Sequence, residues 1–276
     1  MTQKAMHSED QMRAPEGAAF NRVPRITVDF WLIKLMAVTV GETAADYLAV
    51  NLGLGLMLTS VIMTAVLMVA LGLQFAQKRY VPWAYWLAVV LISVVGTLLT
   101  DNLVDSLGVP LQTTTIACSL LLALTFAAWY ASEKTLSIHT IVSTRREAFY
   151  WLAILFTFAL GTAAGDLVAE QLNVGYLMTG MLFAAVIAAI AFAYFVFKIN
   201  GILAFWLAYI LTRPLGASFG DLLSQPLDYG GLGLGTVVTS FLFLAVIAAI
   251  VFYMSWMNRD GELVLDLHEP APNASA

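Results

Sequence analysis

Charged residues are scarce in this sequence. Of its 276 residues, 11% are Asp, Glu, Lys or Arg, whereas 61% are hydrophobic. A soluble globular domain carries about 25% charged residues. The composition therefore excludes an ordinary soluble domain and predicts a polytopic membrane protein, whose main partner is the lipid bilayer.

Cysteine and histidine are almost absent. Cys118 is the single cysteine, so the chain has no internal disulfide framework. His7, His139 and His268 all lie outside the apolar segments. A zinc or copper site therefore lacks its preferred ligands. The apolar segments contain no Ser-His or HExxH set, no stretch combines a basic patch with aromatic residues, and no P-loop lysine is present. We expect no enzyme activity, no nucleic-acid partner and no organic cofactor.

Eight apolar segments are long enough to cross a bilayer, which takes about 20 helical residues. They cover residues 28–51, 55–76, 82–104, 111–131, 148–170, 174–196, 202–223 and 233–256. Lys and Arg occur in the connections on one side only, and they are absent from residues 52–54, 105–110, 171–173 and 224–232. The positive-inside rule then predicts that both termini are cytoplasmic. The polar ends, residues 1–24 and 258–276, are expected to be flexible tails.

One unit recurs four times along the chain. The odd-numbered spans align without gaps as "FWLIKLMAVTVGETAADYL", "YWLAVVLISVVGTLLTDNL", "YWLAILFTFALGTAAGDLV" and "FWLAYILTRPLGASFGDLL". In each, Gly follows Trp by ten residues and Asp follows Gly by five. The tryptophans are Trp31, Trp86, Trp151 and Trp206; the glycines are Gly41, Gly96, Gly161 and Gly216; the aspartates are Asp46, Asp101, Asp166 and Asp221.

Each unit holds two spans, so all four units have the same orientation in the membrane. The predicted fold is therefore an all-α membrane protein of eight transmembrane helices in four tandem two-helix repeats, with a pseudo-symmetry axis along the membrane normal. We divide the chain into a tail (1–24), repeat 1 (25–80), repeat 2 (81–133), a cytoplasmic connection (134–146), repeat 3 (147–199), repeat 4 (200–257) and a tail (258–276). Four like units around such an axis predict a central seam where the aspartate helices converge.

The Trp-Gly-Asp register, together with "GETAAD", "SIHT…RREAFYW" and "TRPLGASFGDLL", resembles a family of bacterial membrane proteins built from four tandem repeats, each with two transmembrane regions and a characteristic tryptophan. The resemblance covers residues 25 to 257. It implies the architecture and a multi-pass location in the bacterial inner (plasma) membrane. That family has no established activity, so the resemblance implies nothing about a substrate.

The conserved spacing suggests a role for each residue type within the repeats. Each Trp is expected to anchor its helix at the cytoplasmic boundary, where aromatic side chains accumulate. Each Gly is expected to allow close helix–helix contact. Lys34 lies three residues beyond Trp31 and is expected to extend back to the cytoplasmic surface.

The aspartates are the main candidates for a site. One interpretation places them at the far headgroup boundary, where they only solvate the helix ends. The favoured interpretation is an acidic centre, because a carboxylate within the membrane costs several kcal/mol unless it faces a cavity or a partner. Glu42 lies one turn before Asp46 and strengthens this interpretation.

Arg213 is the one strong base expected near mid-membrane. Arg213 lies seven residues after its Trp and Glu42 eleven after its own, so their depths differ by about one turn, roughly 6 Å. We therefore predict an ion pair between Arg213 and Glu42 across the seam. The alternative for Arg213 is hydrogen bonding to carbonyl groups freed by Pro214.

The candidate site also includes one threonine from each of the first three repeats, thirteen residues after its Asp: Thr59, Thr114 and Thr179. The fourth repeat has an insertion there and offers Thr236 and Thr239.

Two functions of different classes fit these residues. The favoured one is a secondary transporter of a small ion, a hard cation such as Mg²⁺ or Mn²⁺ or a proton-coupled ion, because the ligand set contains only oxygen donors. The predicted metal ligands are Glu42, Asp46, Asp101, Asp166 and Asp221. The alternative is a non-transporting scaffold or sensor whose aspartates only hold the bundle together. The transported ion, the direction of transport and assembly into a homo-oligomer stay open.

Overall fold

Eight long helices form the described part of the protein. In the computed structural model, residues 18–256 and 263–265 are described. The helices are α1 (Val28–Asp46), α2 (Leu56–Phe75), α3 (Pro82–Asp101), α4 (Leu111–Glu133), α5 (Thr144–Asp166), α6 (Tyr176–Phe197), α7 (Gly201–Ser224) and α8 (Thr236–Trp256). Their bounds agree with the eight predicted spans to within a few residues, because uninterrupted apolar stretches of this length form helices in a bilayer.

Seven of these helices are long and apolar enough to cross a membrane, by length and composition. The helix outside that group is α1, which contains four charged residues: Asp29, Lys34, Glu42 and Asp46. Charged residues in a membrane helix face the protein interior. The packing of the eight helices places α1 accordingly, in contact with three other long helices.

The first helices of the four repeats form a central ring. Helix α1 packs against α3, α3 against α5, α5 against α7, and α7 against α1. The second helix of each repeat packs against the first helix of the next repeat: α2 against α3, α4 against α5, α6 against α7, and α8 back against α1. Each repeat therefore covers its neighbour, and the last repeat closes the ring onto the first. The predicted fourfold pseudo-symmetry is confirmed.

Three of the four ring helices do not stop at their repeat aspartate. Helices α1, α3 and α5 continue into five-residue π-helical turns, Tyr47–Asn51, Asn102–Ser106 and Leu167–Gln171. Helix α7 has no such turn; it ends at Ser224, and the insertion folds back on it through backbone hydrogen bonds such as Leu232 N–H to Leu222 C=O. Since π-helical turns are frequent at functional sites, their position at the level of the aspartates is consistent with a site there.

The two predicted tails are partly ordered. Residues Ala18–Phe20 (β1) pair antiparallel with Leu263–Leu265 (β2). Asn21 is fully buried; its side-chain amide donates to Ile138 C=O and accepts from Ile141 N–H, both at 3.0 Å. The expectation of flexible tails is wrong for these segments, because backbone pairing and a buried amide hold them. Residues 1–17, 257–262 and 266–276 lie outside the described residues.

The ribbon of β1 and β2 joins both ends of the chain on one side of the helix ring. Asn21 C=O accepts from Tyr80 N–H, and Arg22 N–H donates to Ile141 C=O, so the connections after α2 and α4 lie on this side too. We refer to it as the terminal side. The cytoplasmic orientation of this side stays a prediction from the basic residues.

The repeat tryptophans form an aromatic ring rather than a membrane anchor. In every repeat an aromatic residue directly precedes the Trp. The Trp of each repeat packs on this aromatic residue of the repeat before it, and Trp31 of the first repeat packs on that of the fourth. The ring centroids are 5.7 Å apart for Phe30 and Trp86, 5.4 Å for Tyr85 and Trp151, 6.2 Å for Tyr150 and Trp206, and 5.8 Å for Phe205 and Trp31. These are distances of favourable aromatic pairs. Trp86, Trp151 and Trp206 are at most 4% exposed. The predicted anchoring role is wrong for these three tryptophans, because the closed helix ring turns them inward; Trp31 is partly exposed.

Candidate functional site

The central ring is built in layers that follow helical periodicity. Positions 7, 11 and 15 after each repeat Trp lie on one face of a helix, since they are one turn apart. Position 7 holds Val38, Ser93, Phe158 and Arg213; position 11 holds Glu42, Thr97, Thr162 and Ala217; position 15 holds the four aspartates. The layers therefore run from the aromatic ring toward the aspartates.

The repeat glycines, at position 10, are the contact points between adjacent repeats. Each accommodates the position 7 side chain of the following repeat. The pairs are Gly41 with Ser93, Gly96 with Phe158, Gly161 with Arg213, and Gly216 with Val38. A Cβ atom built on Gly96 would lie 2.6 Å from Phe158 Cβ, and one built on Gly216 would lie 2.5 Å from Val38 Cγ1. The predicted role in close helix contact is confirmed, and these contacts set the register of the ring.

Arg213 fills the centre of the ring. Its guanidinium forms an ion pair with Glu42 at 2.9 Å. It also donates to the hydroxyl of Thr162 at 2.7 Å and to that of Thr97. Arg213 thus contacts the position 11 side chain of each of the other three repeats, and its own repeat carries the small Ala217 at that level. The predicted pair of Arg213 and Glu42 is confirmed.

The Arg213 ion pair is deeply buried. The side chain of Arg213 is 1% exposed and that of Glu42 is 9% exposed. A second guanidinium nitrogen donates to Val38 C=O at 3.3 Å, a carbonyl of α1 and not one freed by Pro214 in α7. Removing either charge alone would leave the other uncompensated in an apolar interior, which is strongly unfavourable. The pair therefore connects the first repeat to the last and blocks the central axis of the helix ring.

Lys34 lies inside the ring and does not reach the surface. It is 1% exposed, and its ammonium donates to Tyr209 C=O at 2.9 Å. The ammonium also lies 3.9 Å from the Tyr209 ring centroid and 5.6 Å from that of Phe158. The expectation of a surface-directed side chain is wrong, because α1 is a ring helix and position 3 shares its inward face. The Arg213 guanidinium lies 5.5 Å from the same Phe158 ring, so two cations flank one aromatic side chain.

The four aspartates lie beyond Arg213 along the axis, and their carboxylates make no direct bond to another side chain in the described part of the chain. Asp46, Asp101 and Asp166 are partly exposed, and Asp221 is buried at 7% exposure. Within residues 18–256, none of the four carboxylates forms an ion pair or a side-chain hydrogen bond. They lie close enough to interact electrostatically across the ring: Asp101 with Asp46, Asp166 with Asp101 and Asp221, and Asp221 with Asp46. Arg213 interacts favourably with Asp101 and Asp221 at longer range. The sequence therefore predicted correctly that these helices converge.

The carboxylates do not form one ligand set in this structure. Among the described residues, no three Asp, Glu, His or Cys side chains come close enough to hold a metal ion. Two further carboxylates, Asp105 and Glu170, lie one turn beyond the aspartates, and both interact electrostatically with Asp46. The arrangement is an acidic vestibule, which we define as the four repeat aspartates with Asp105 and Glu170.

The candidate threonines are buried at the start of the second helix of each repeat. Thr59, Thr114 and Thr179 are at most 1% exposed, and Thr239 is the equivalent residue of the fourth repeat. Thr59 and Thr239 donate to the carbonyls of Gly55 and Gly235, one turn back in their own helices. In the described part of the chain, no hydrogen bond joins these threonines to the aspartates, so their role in an ion site stays a prediction.

The repeat architecture is also recognised by comparison with known proteins. A family described as "Repeat of Unknown Function (DUF347)" matches the chain four times in tandem, at residues 30–80, 84–135, 149–200 and 204–260. Together these matches cover more than half of the sequence. The chain belongs to the DUF347 repeat family. No curated protein and no solved structure matches it.

Each DUF347 repeat contributes one side chain to every layer of the site, but the contributions differ chemically. Sequence reasoning found the charged members, Glu42 and Arg213, because charge is rare in apolar spans. It missed Ser93 and Phe158, which share position 7 with Arg213, and Tyr209, which holds Lys34. The signal was available: these residues occupy the same repeat position or the same helical face as the charged ones.

Proposed function

We propose that this DUF347 protein is a secondary transporter of a hard cation, Mg²⁺, Mn²⁺ or a proton-coupled ion, that enters through the acidic vestibule. The chain forms a membrane-type bundle of helices. One observation carries the proposal: Glu42 forms a direct ion pair with Arg213, whereas none of the four aspartates around the same axis forms one among the described residues. Arg213 acts on Asp101 and Asp221 only through longer-range electrostatic interactions. Clustered carboxylates cannot all stay ionised without a cation or shared protons from solution.

The layers suggest how passage is controlled. The vestibule lies at the end of the ring away from the terminal side, and the Arg213 layer and the aromatic ring close the axis beneath it. The structure would then correspond to a state with access from the vestibule side. Rocking of repeats about the glycine contacts would bring the aspartates together around the cation and open the other side, as in transporters built from repeats.

The scaffold alternative requires the aspartates to hold the bundle through hydrogen bonds. Within residues 18–256, none of the four carboxylates bonds to another helix. The helices are instead joined by the Arg213 network, by Thr43 and Ser240 at 2.6 Å, and by Thr100 donating to Ala159 C=O at 3.0 Å. The aspartates are thus dispensable for the contacts that join the ring, which favours a role toward an ion.

The test is cation flux in proteoliposomes loaded with a dye for Mg²⁺ or Mn²⁺, with and without a pH gradient. We expect flux in the wild-type protein and at least tenfold less in D46N, D101N, D166N and D221N, since each removes one charge from the vestibule. D228N is the matched control, because Asp228 is an exposed carboxylate of the fourth-repeat insertion. If liposomes with the wild-type protein are no more permeable to the cations than empty liposomes, transport is refuted. If all four variants keep full cation flux, the acidic vestibule is not the site.

A further inference from the structure

A lateral groove lies on the terminal side, where the last repeat meets the first. It lies between α1, α6 and α7 and has a volume of about 970 Å³. That volume is at the upper end of the range for small-molecule sites. Its wall is mostly apolar and includes Trp31, Ile190, Ala191 and Phe205, and the connection after α4 contributes Leu136. The groove therefore has the size and polarity of a site for an amphiphile.

Trp31 differs from the other three repeat tryptophans. The indole N–H groups of Trp86, Trp151 and Trp206 donate to Tyr80 Oη at 3.1 Å, Glu147 Oε1 at 3.4 Å and Leu136 C=O at 2.9 Å, respectively. The Trp31 N–H donates to no acceptor among the described residues, and Trp31 is the partly exposed member of the four. Three junctions of the aromatic ring are thus sealed by protein, and the fourth offers a donor to whatever occupies the groove.

Two basic residues lie next to the groove in sequence, and no described residue that lines it is acidic. Asp29, between the lining residues Val28 and Trp31, is half-buried and already has an interaction partner. Arg25 is exposed and directly precedes the lining residue Ile26. Lys198 is exposed and directly follows the end of α6, two residues before the lining residue Asn200. Basic clusters at the ends of membrane helices favour anionic lipid headgroups. The basic residues at the rim are therefore complementary to an anionic lipid headgroup, and the apolar interior is complementary to an acyl chain.

We propose that this groove binds one anionic phospholipid from the leaflet on the terminal side. An acyl chain lies along Ile190 and Ala191 of α6, and the polar headgroup region accepts the Trp31 N–H and pairs with Arg25 and Lys198. The lipid completes the seal of the aromatic ring at the junction between the last and first repeats. This site is independent of the acidic vestibule and of transport.

The experiment is native mass spectrometry of the full chain released from bilayers of equal phosphatidylglycerol and phosphatidylcholine. The wild-type protein is expected to retain one phosphatidylglycerol, with a preference over phosphatidylcholine of roughly fivefold for each of the two basic residues. The A191W variant fills the groove and is expected to lose the bound lipid. The control is V238W, which also introduces a tryptophan, but on α8, where Val238 is 56% exposed.

Two further variants keep the proposal testable if A191W fails to fold. W31F keeps an aromatic side chain at this junction, although a smaller one, and removes the N–H donor, so retention should fall without loss of folded protein. R25Q combined with K198Q should remove the preference for phosphatidylglycerol. Equal retention of both lipids by the wild-type protein would overturn the anionic assignment. Retention by A191W equal to that of V238W, or a lipid-free dimer that covers the groove, would overturn the site.

Discussion

Arg213 of the last repeat lies 2.9 Å from Glu42 of the first, although 171 positions separate them in the chain. The pair joins the two ends of a tandem array at its axis, where Thr97 and Thr162 supply the remaining hydroxyl acceptors. A linear chain of four repeats becomes a closed ring through this contact and through the packing of α8 against α1.

The ion pair should show strong coupling between its two partners. E42Q and R213Q are each expected to lower stability by about 3–5 kcal/mol, because each leaves a buried charge unpaired. The E42Q/R213Q double variant should be much less destabilised than the sum of the two. The measurement is unfolding in detergent micelles for all four proteins of the cycle. Additive single effects would show that the charges do not interact.

Alanine at the repeat glycines should be destabilising where the helices touch. G96A and G216A place a Cβ within 2.6 Å of a neighbouring side chain, so we expect a loss of about 1–3 kcal/mol from overpacking. G72A is the control, since a Cβ on Gly72 in α2 meets nothing within 4 Å. Its effect should be neutral or slightly stabilising, because Ala is the better helix former. Thermal unfolding midpoints distinguish the two groups, and equal shifts would contradict the contact geometry.

The aromatic ring should contribute to stability, unlike an interfacial anchor. W86A is expected to cost about 3–5 kcal/mol, because Trp86 is 2% exposed and packs on Phe30. W256A should stay within about 0.5 kcal/mol, since Trp256 is 77% exposed. Both are measured by unfolding in the same detergent. A mild W86A phenotype would support anchoring at the membrane boundary instead.

Lys34 should be inaccessible to reagents in water. We expect an amine-reactive label to modify Lys78 and Lys198, which are exposed, and to leave Lys34 unmodified in the folded protein, because its ammonium is buried against Tyr209. Peptide mass spectrometry measures the fraction labelled at each lysine, and labelling after unfolding provides the positive control. Labelling of Lys34 at the rate of Lys78 would show that it reaches the surface.

Asn21 should hold the N-terminal segment to the bundle. N21A leaves the Ile138 carbonyl and the Ile141 N–H buried without their side-chain partner, which we expect to cost about 1–3 kcal/mol. Asn51 is the control: it is exposed and accepts one bond, from Thr236 at 3.2 Å. N51A should change stability by less than about 0.5 kcal/mol. Unfolding midpoints and limited proteolysis after Arg25 or Lys78 test the difference.

The number of helices, the repeat and its register could be predicted from sequence alone. Apolar length determines which segments can cross a bilayer, and fixed Trp-Gly-Asp spacing aligns the repeats without structural knowledge. The pair of Arg213 and Glu42 followed from helical rise, because opposite charges at similar depth in apolar spans have few other partners. For this pair of opposite charges, depth along the helix was sufficient.

Which face of each helix meets protein was decided only by tertiary packing. In a membrane, lipid-facing and protein-facing surfaces are both apolar, so composition does not distinguish an interfacial Trp86 from a buried one, or an outward Lys34 from an inward one. The packing of each second helix on the next repeat turns those faces toward the axis. The same packing seals three junctions of the aromatic ring and leaves Trp31 beside a groove, since that asymmetry arises where the last repeat meets the first.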